Sequence, residues 1–239
     1  MVYSIVACIC PSALIFSSSV NEEHTDGRID EMGFRLANEV RQFVEAHSTS
    51  FYIIGRISFL AHSLGGLIVR AALPHMEVYK DKLNFFMTLS TPHVGITNKF
   101  IESGVMILNL FKKSQVLEQL TLRDANRAED CELYRLASMA QLRWFKRVLL
   151  VGSSQDRYAP IYSSILSRDN SDSIQMQLQA KVLESLSRTM YHTIDVSFDI
   201  QESPTLDTVL GRAAHIKFLE SPVLIQLLFL SIIELIDIA

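Results

Sequence analysis

Basic runs are missing from this 239-residue chain, in which no block of lysine and arginine is longer than a pair such as Lys112-Lys113 and the formal charge is −4. Phosphate backbones are held by clustered positive charge, so nucleic acid is not an expected partner. Cysteine is scarce and odd in number. Cys8 and Cys10 stand too close along the chain to bridge comfortably and Cys131 is left alone, which predicts free thiols in a reducing, cytoplasmic setting. Metal-ligand spacing is absent as well: the seven histidines never recur at i, i+3 or i+4, and no Cys/His cluster forms, so no metal site is expected. No lysine or arginine precedes Arg28, so the apolar residues 1–16 lack the positive start of a secretory signal and read as a buried strand or an irregular terminus. The apolar run at 223–233 is shorter than a membrane span and is followed by Glu234 and Asp237. A buried terminal helix is expected there, with transient contact with a membrane surface as the lesser alternative.

What is present suits one globular domain over residues 1–239, with 49% hydrophobic and 20% charged residues. Ile29, Met32, Leu36, Val40, Phe43 and Val44 recur at helical spacing, predicting an amphipathic helix over about 26–46 with Thr25 or Asp26 as its cap. An apolar strand ending at Ala61 is followed by a helix that Pro74 helps to end, then by a second strand over 83–90. Strand, helix and strand within about forty residues form a βαβ unit, hence a parallel sheet with helices on its faces. Residues 98–127 hold no clear strand and are expected to be a lid-like insertion. Further elements are a helix over 130–139, a third strand over 145–152, a polar surface helix over 173–188 and a weak strand over 193–200.

The most informative run is Leu60-Ala61-His62-Ser63-Leu64-Gly65-Gly66, where a strand stops at a serine and a helix begins. So sharp a turn strains the serine backbone and pushes its hydroxyl out at the sheet edge, as in the G-x-S-x-G elbow, with Ala61 in place of the first glycine. The helix start supplies free N–H groups and a positive dipole end for a developing oxyanion, so Leu64 and Gly65 are the oxyanion and elbow candidates. The plain alternative is a serine in an ordinary loop, with Gly65 and Gly66 present for packing.

A serine hydroxyl needs a base, and the base needs an acid to fix its tautomer. Asp156 lies just past the third strand in a turn closed by Pro160, and His215 lies in Gly211-Arg212-Ala213-Ala214-His215, read as a loop of small residues running into the terminal helix. Ser63, Asp156 and His215 fall in the order nucleophile, acid, base of an α/β-hydrolase. Rivals are Asp156 as a turn former, and His192 as the base. His62 adjoins the serine and His93 follows a strand end; both are candidates to line a pocket.

Together with Leu89-Ser90-Thr91-Pro92-His93-Val94-Gly95 and Leu150-Val151-Gly152-Ser153-Ser154-Gln155-Asp156-Arg157-Tyr158-Ala159-Pro160, these motifs resemble a eukaryotic serine esterase family, a lipase-like branch of the α/β-hydrolases, over about 20–233. The resemblance implies hydrolysis of a carboxylic ester, with a lipid or small-molecule ester as substrate, through an acyl-enzyme on Ser63, and it implies no cofactor. Family members carry a His-Gly loop upstream that donates one oxyanion N–H. No His-Gly pair occurs here, so the expectation is a hydrolase fold lacking its N-terminal strand and that loop, as in a truncated form. Loss of one such donor costs ~10²–10³ in turnover, which keeps a catalytically impaired chain with a binding or scaffold role as the alternative.

Overall fold

A computed structural model describes residues 1–49, 53–96, 114–167, 173–199 and 207–233. Its sheet has four strands, β1 (Ile57–His62), β2 (Leu83–Leu89), β3 (Arg147–Gly152) and β4 (Met190–Asp195), in the order β1-β2-β3-β4 and parallel throughout. Parallel strands must be covered on both faces, and alternation along them shows how. Phe86, Val148 and Leu150 enter one apolar cluster, whereas Met87, Leu89, Leu149 and Val151 enter the other. Both ends of the sheet are less buried than its middle, since β1 is mostly half-buried and β4 leaves Met190 and Tyr191 exposed.

Helix α2 (Ile29–Ala46) and helix α3 (Leu64–Ala72) cover the first face. Helix α2 buries Ile29, Met32, Leu36, Val40 and Val44, the stripe its periodicity predicts. Gly33 lets the two helices touch, because a Cβ there would lie 2.5 Å from the Cβ of Ala71. A 3₁₀ segment, Leu73–Lys82, leads from α3 into β2. The same face takes α4 (Gln115–Leu120), α5 (Glu132–Ser138) and α7 (Ser173–Leu186); the short α6 (Ile161–Ser164) follows the loop after β3. The expected surface helix is α7, and Leu178, Val182 and Leu186 bind it to the core more firmly than its polar sequence suggested.

The second face lies under α8 (Asp207–Glu220), α9 (Pro222–Ile233) and α1 (Val2–Ile9). Two expectations are corrected here. The start of the N-terminal run, Val2–Ile9, is a helix and not a strand, while 10–16 is irregular, as the alternative had it: Val2, Ile5, Val6 and Ile9 form one stripe packed with the α9 cluster, a period hidden by the uniformly apolar sequence. His215 stands within α8 rather than in a loop, because its neighbours Ala213 and Ala214 are strong helix formers. Helix α9 turns Ile225, Leu228 and Phe229 inward but leaves Val223, Leu227 and Leu230 exposed, so it is buried on one side only. No single described helix is long and apolar enough to cross a membrane.

Of the expected insertion at 98–127, residues 98–113 lie outside the described residues. The rest is tied to the core: the Gln119 side-chain oxygen accepts from the Ile29 N–H at the start of α2 (2.8 Å), and Val116 and Leu120 are buried.

Candidate active site

Ser63 joins β1 to α3 with φ 53° and ψ −128°, a conformation that costs a non-glycine residue about 1–3 kcal/mol and persists only where its surroundings over-determine it. Three bonds do so. The Ser63 N–H donates to the Leu89 carbonyl at the end of β2 (2.9 Å); its own carbonyl accepts from the Thr91 hydroxyl (2.8 Å) and from the Gly66 N–H (3.2 Å). Behind it, Leu64 is the first residue of α3, where N–H groups have no intrahelical acceptor and the helix dipole favours negative charge.

The loop after β3 presents Asp156, 2% exposed. One carboxylate oxygen, Oδ1, accepts from the N–H groups of Tyr158 (2.6 Å) and Ala159 (3.2 Å). The other, Oδ2, accepts from His215 Nδ1 at 2.7 Å and from the Ser90 hydroxyl. His215 reaches it because α8 presses Ala214 and Phe218 inward on the same side of the helix. An aspartate on Nδ1 leaves Nε2 as the free nitrogen of a neutral imidazole, the tautomer a general base needs. Among the described residues the Ser63 hydroxyl makes no hydrogen bond to this ring.

His62 meets His215 directly. Its Nε2 lies 2.9 Å from the His215 carbonyl, so Nε2 carries the proton it donates, and the two rings stand 4.6 Å apart. Burial and, second, the nearby His215 lower the His62 pKa to about 4, so it is neutral at physiological pH. On the loop side, the Tyr158 ring stacks on His215 at 5.1 Å, with its hydroxyl buried and unpartnered among the described residues.

His93 lies elsewhere in the interior, 1% exposed. Its ring contacts the Thr88 hydroxyl (3.0 Å), and its carbonyl accepts from Arg70 (2.8 Å), a guanidinium whose pKa burial lowers to about 10. Burial and then Arg70 push His93 well below its ordinary value, so it is a neutral bracket for the loop after β2. His192 sits on β4 with its side chain exposed, beside Leu149.

Gly65 and Gly66 part company. A Cβ on Gly65 would meet only the Ala61 Cβ, at an ordinary 3.7 Å, whereas one on Gly66 would lie 2.3 Å from the Thr91 hydroxyl oxygen. Ser90, Thr91 and Tyr158 were not singled out by sequence reasoning. The available signal was a pair of small hydroxyl residues at a strand end, immediately before Pro92.

Strand ends carrying, in chain order, a strained serine and an aspartate, with a histidine on the element that follows β4, define an α/β-hydrolase fold. Within that class the chain belongs to the family described as Putative serine esterase (DUF676), whose model matches residues 10–171. The matched span holds Ser63 and Asp156 and stops short of His215. The chain is also 28% identical over 157 residues to Putative lipase YDL109C of Saccharomyces cerevisiae, covering 61% of this chain and 23% of the yeast protein. It thus spans about a quarter of the length of that relative. Among solved structures, Pyrococcus horikoshii acylaminoacyl peptidase aligns with 86% of this chain and 28% of its own, at 14% identity and a TM-score of 0.46, and a second crystal form of it gives 0.45.

Proposed function

We propose that this chain is a serine hydrolase of carboxylic esters, with lipid esters as the favoured class, acting through an acyl-enzyme. The observation that carries the proposal is the 2.7 Å pair of His215 Nδ1 and Asp156, in a fold that also strains Ser63 at the end of β1, on the same edge of the sheet. In this reading the Ser63 oxygen attacks the ester carbonyl while His215 Nε2 takes its proton; Asp156 holds the ring and stabilises the imidazolium. The Leu64 N–H, at the start of α3, receives the developing oxyanion. His215 returns the proton to the departing alcohol, and water then releases the acid by the same steps. The family and the yeast relative's description as a lipase support the ester class. A cytoplasmic location and transient contact with a membrane surface belong to the same proposal. His62 and His93 enter it as neutral groups that hold the base and the loop after β2.

A second reading, an impaired hydrolase with a binding role, is favoured by one fact: among the described residues Ser63 makes no hydrogen bond to His215. Fluorophosphonate labelling of the purified chain separates the two. Labelling that vanishes in Ser63→Ala and falls steeply in Asp156→Asn is expected; a native chain that stays unlabelled, or label that survives Ser63→Ala, sinks the esterase reading.

A further inference from the structure

Ser90 follows the last residue of β2 and, like Ser63, is held in the left-handed region, at φ 53°. Nothing at its own position demands a serine there, and a glycine would bear that backbone more easily. Its N–H donates to the Val151 carbonyl at the end of β3 (2.7 Å), which fixes the backbone, and its hydroxyl donates to Asp156 Oδ2. Both side chains are buried, so water does not compete for either. Backbone N–H groups satisfy the other carboxylate oxygen, while Oδ2 is shared by two side chains, Ser90 and His215.

We propose that Ser90 is a positioning residue, whose hydroxyl anchors the Asp156 oxygen that holds His215 and so sets both the orientation of the ring and the charge facing it. The proposal rests on the reading of Asp156 and His215 as acid and base. A donor on Oδ2 draws carboxylate charge away from the imidazole. Removing it leaves more negative charge on the oxygen that faces His215, which favours the imidazolium, and frees the carboxylate to rotate. The ring should then become more basic and less well aimed. Among the described residues the titratable and charged groups around the pair are His62 from β1, Tyr158 from the loop after β3 and Arg212 on α8, and none is altered by the change.

The test is a nuclear magnetic resonance titration of histidine-labelled full-length chain, with the His215 signal assigned through His215→Gln. Ser90→Ala is compared with Ser90→Gly, which suits the backbone angle and keeps the test in a folded protein. Both variants should move the His215 signal's titration toward higher pH and lower kcat about tenfold with KM nearly unchanged. A His215 titration that does not move in either folded variant overturns the proposal, as does a shift in Ser90→Ala alone, which would trace it to backbone strain. Should the native chain hydrolyse no ester, the esterase reading falls while the titration still decides the role of Ser90.

Discussion

Gly66→Ala is expected to damage this protein and Gly65→Ala to spare it, although the two glycines are neighbours in one helix. A methyl on Gly66 would sit 2.3 Å from the Thr91 hydroxyl oxygen, 2.6 Å from its methyl and 2.9 Å from its Cβ, all far inside contact distance. Thr91 is fully buried, and its hydroxyl donates to the Ser63 carbonyl, so it cannot step aside without releasing the elbow. Overpacking of this kind costs about 1–3 kcal/mol and the lost hydrogen bond about 1 more, for a total of about 2–4 kcal/mol. In a domain of this size that lowers Tm by roughly 5–15 °C. Gly65→Ala meets nothing closer than 3.7 Å and replaces a helical glycine with the best helix former, a gain of up to about 1 kcal/mol. Thermal unfolding followed by circular dichroism, together with the rate of fluorophosphonate labelling, measures both effects. The double variant Gly66→Ala with Thr91→Ala removes the two closest atoms, and should regain part of the lost stability while labelling stays slow, because the bond to Ser63 is still missing. Equal melting of Gly66→Ala and the native chain, or equal damage from both single changes, would refute the packing argument.

Acid should weaken the fold through His62. The unfolded chain binds a proton near pH 6.5 that the folded ring refuses until about pH 4, so this contribution is complete above pH 6.5 and is lost as pH falls toward 4, by about 3 kcal/mol. Buried His93 acts in the same direction. His62→Gln should flatten the acid limb of a stability–pH curve measured with urea, and an unchanged limb would contradict the burial argument. Phe218→Ala should cost about 3–5 kcal/mol, because the ring is fully buried between α8 and the sheet. Since α8 also carries His215, labelling should slow beyond what the unfolded fraction explains; a native labelling rate in the folded fraction would show that the helix does not aim the base.

The first three strands and the elbow were legible because their signals are local, whereas the fourth strand, expected over 193–200, runs Met190–Asp195. Leu83–Leu89 and Arg147–Gly152 are short apolar runs bounded by turn residues, and the left-handed angle at Ser63 follows from a strand and a helix meeting without a spacer. Asp156 was legible from its place past a strand end. What escaped was whatever depends on a distant partner. Met1–Cys10 has no polar face to mark a helix, because α9 and not water covers the stripe of Val2, Ile5, Val6 and Ile9. Ala213 and Ala214 read as loop residues, yet both lie within α8, where Ala214 is fully buried. Ser90 carries only the weak signal of a small hydroxyl at a strand end, since its role exists only once β3 brings Asp156 within reach of its hydroxyl.

The same backbone device recurs across the sheet and explains why the groups converge at all. Just past the ends of β1, β2 and β4, an N–H reaches across to the adjacent strand: Ser63 donates to Leu89, Ser90 donates to Val151, and Val196 donates to Gly152 (2.8 Å). Each bond continues the parallel ladder one step past the regular strand, and the first two stand where a serine leaves the sheet. At the first two steps the chain curls into the left-handed region, so the serine departs sharply instead of running on. Because parallel strands all end on one edge, a device repeated at each end brings its products together without any loop having to reach far. The second serine meets the aspartate, the aspartate meets the histidine, and the first serine stands one strand away from the second. Precision at this edge comes from the ladder, which is why a methyl on Gly66, pressing on the Thr91 side chain that holds the Ser63 carbonyl, is expected to be felt at Ser63.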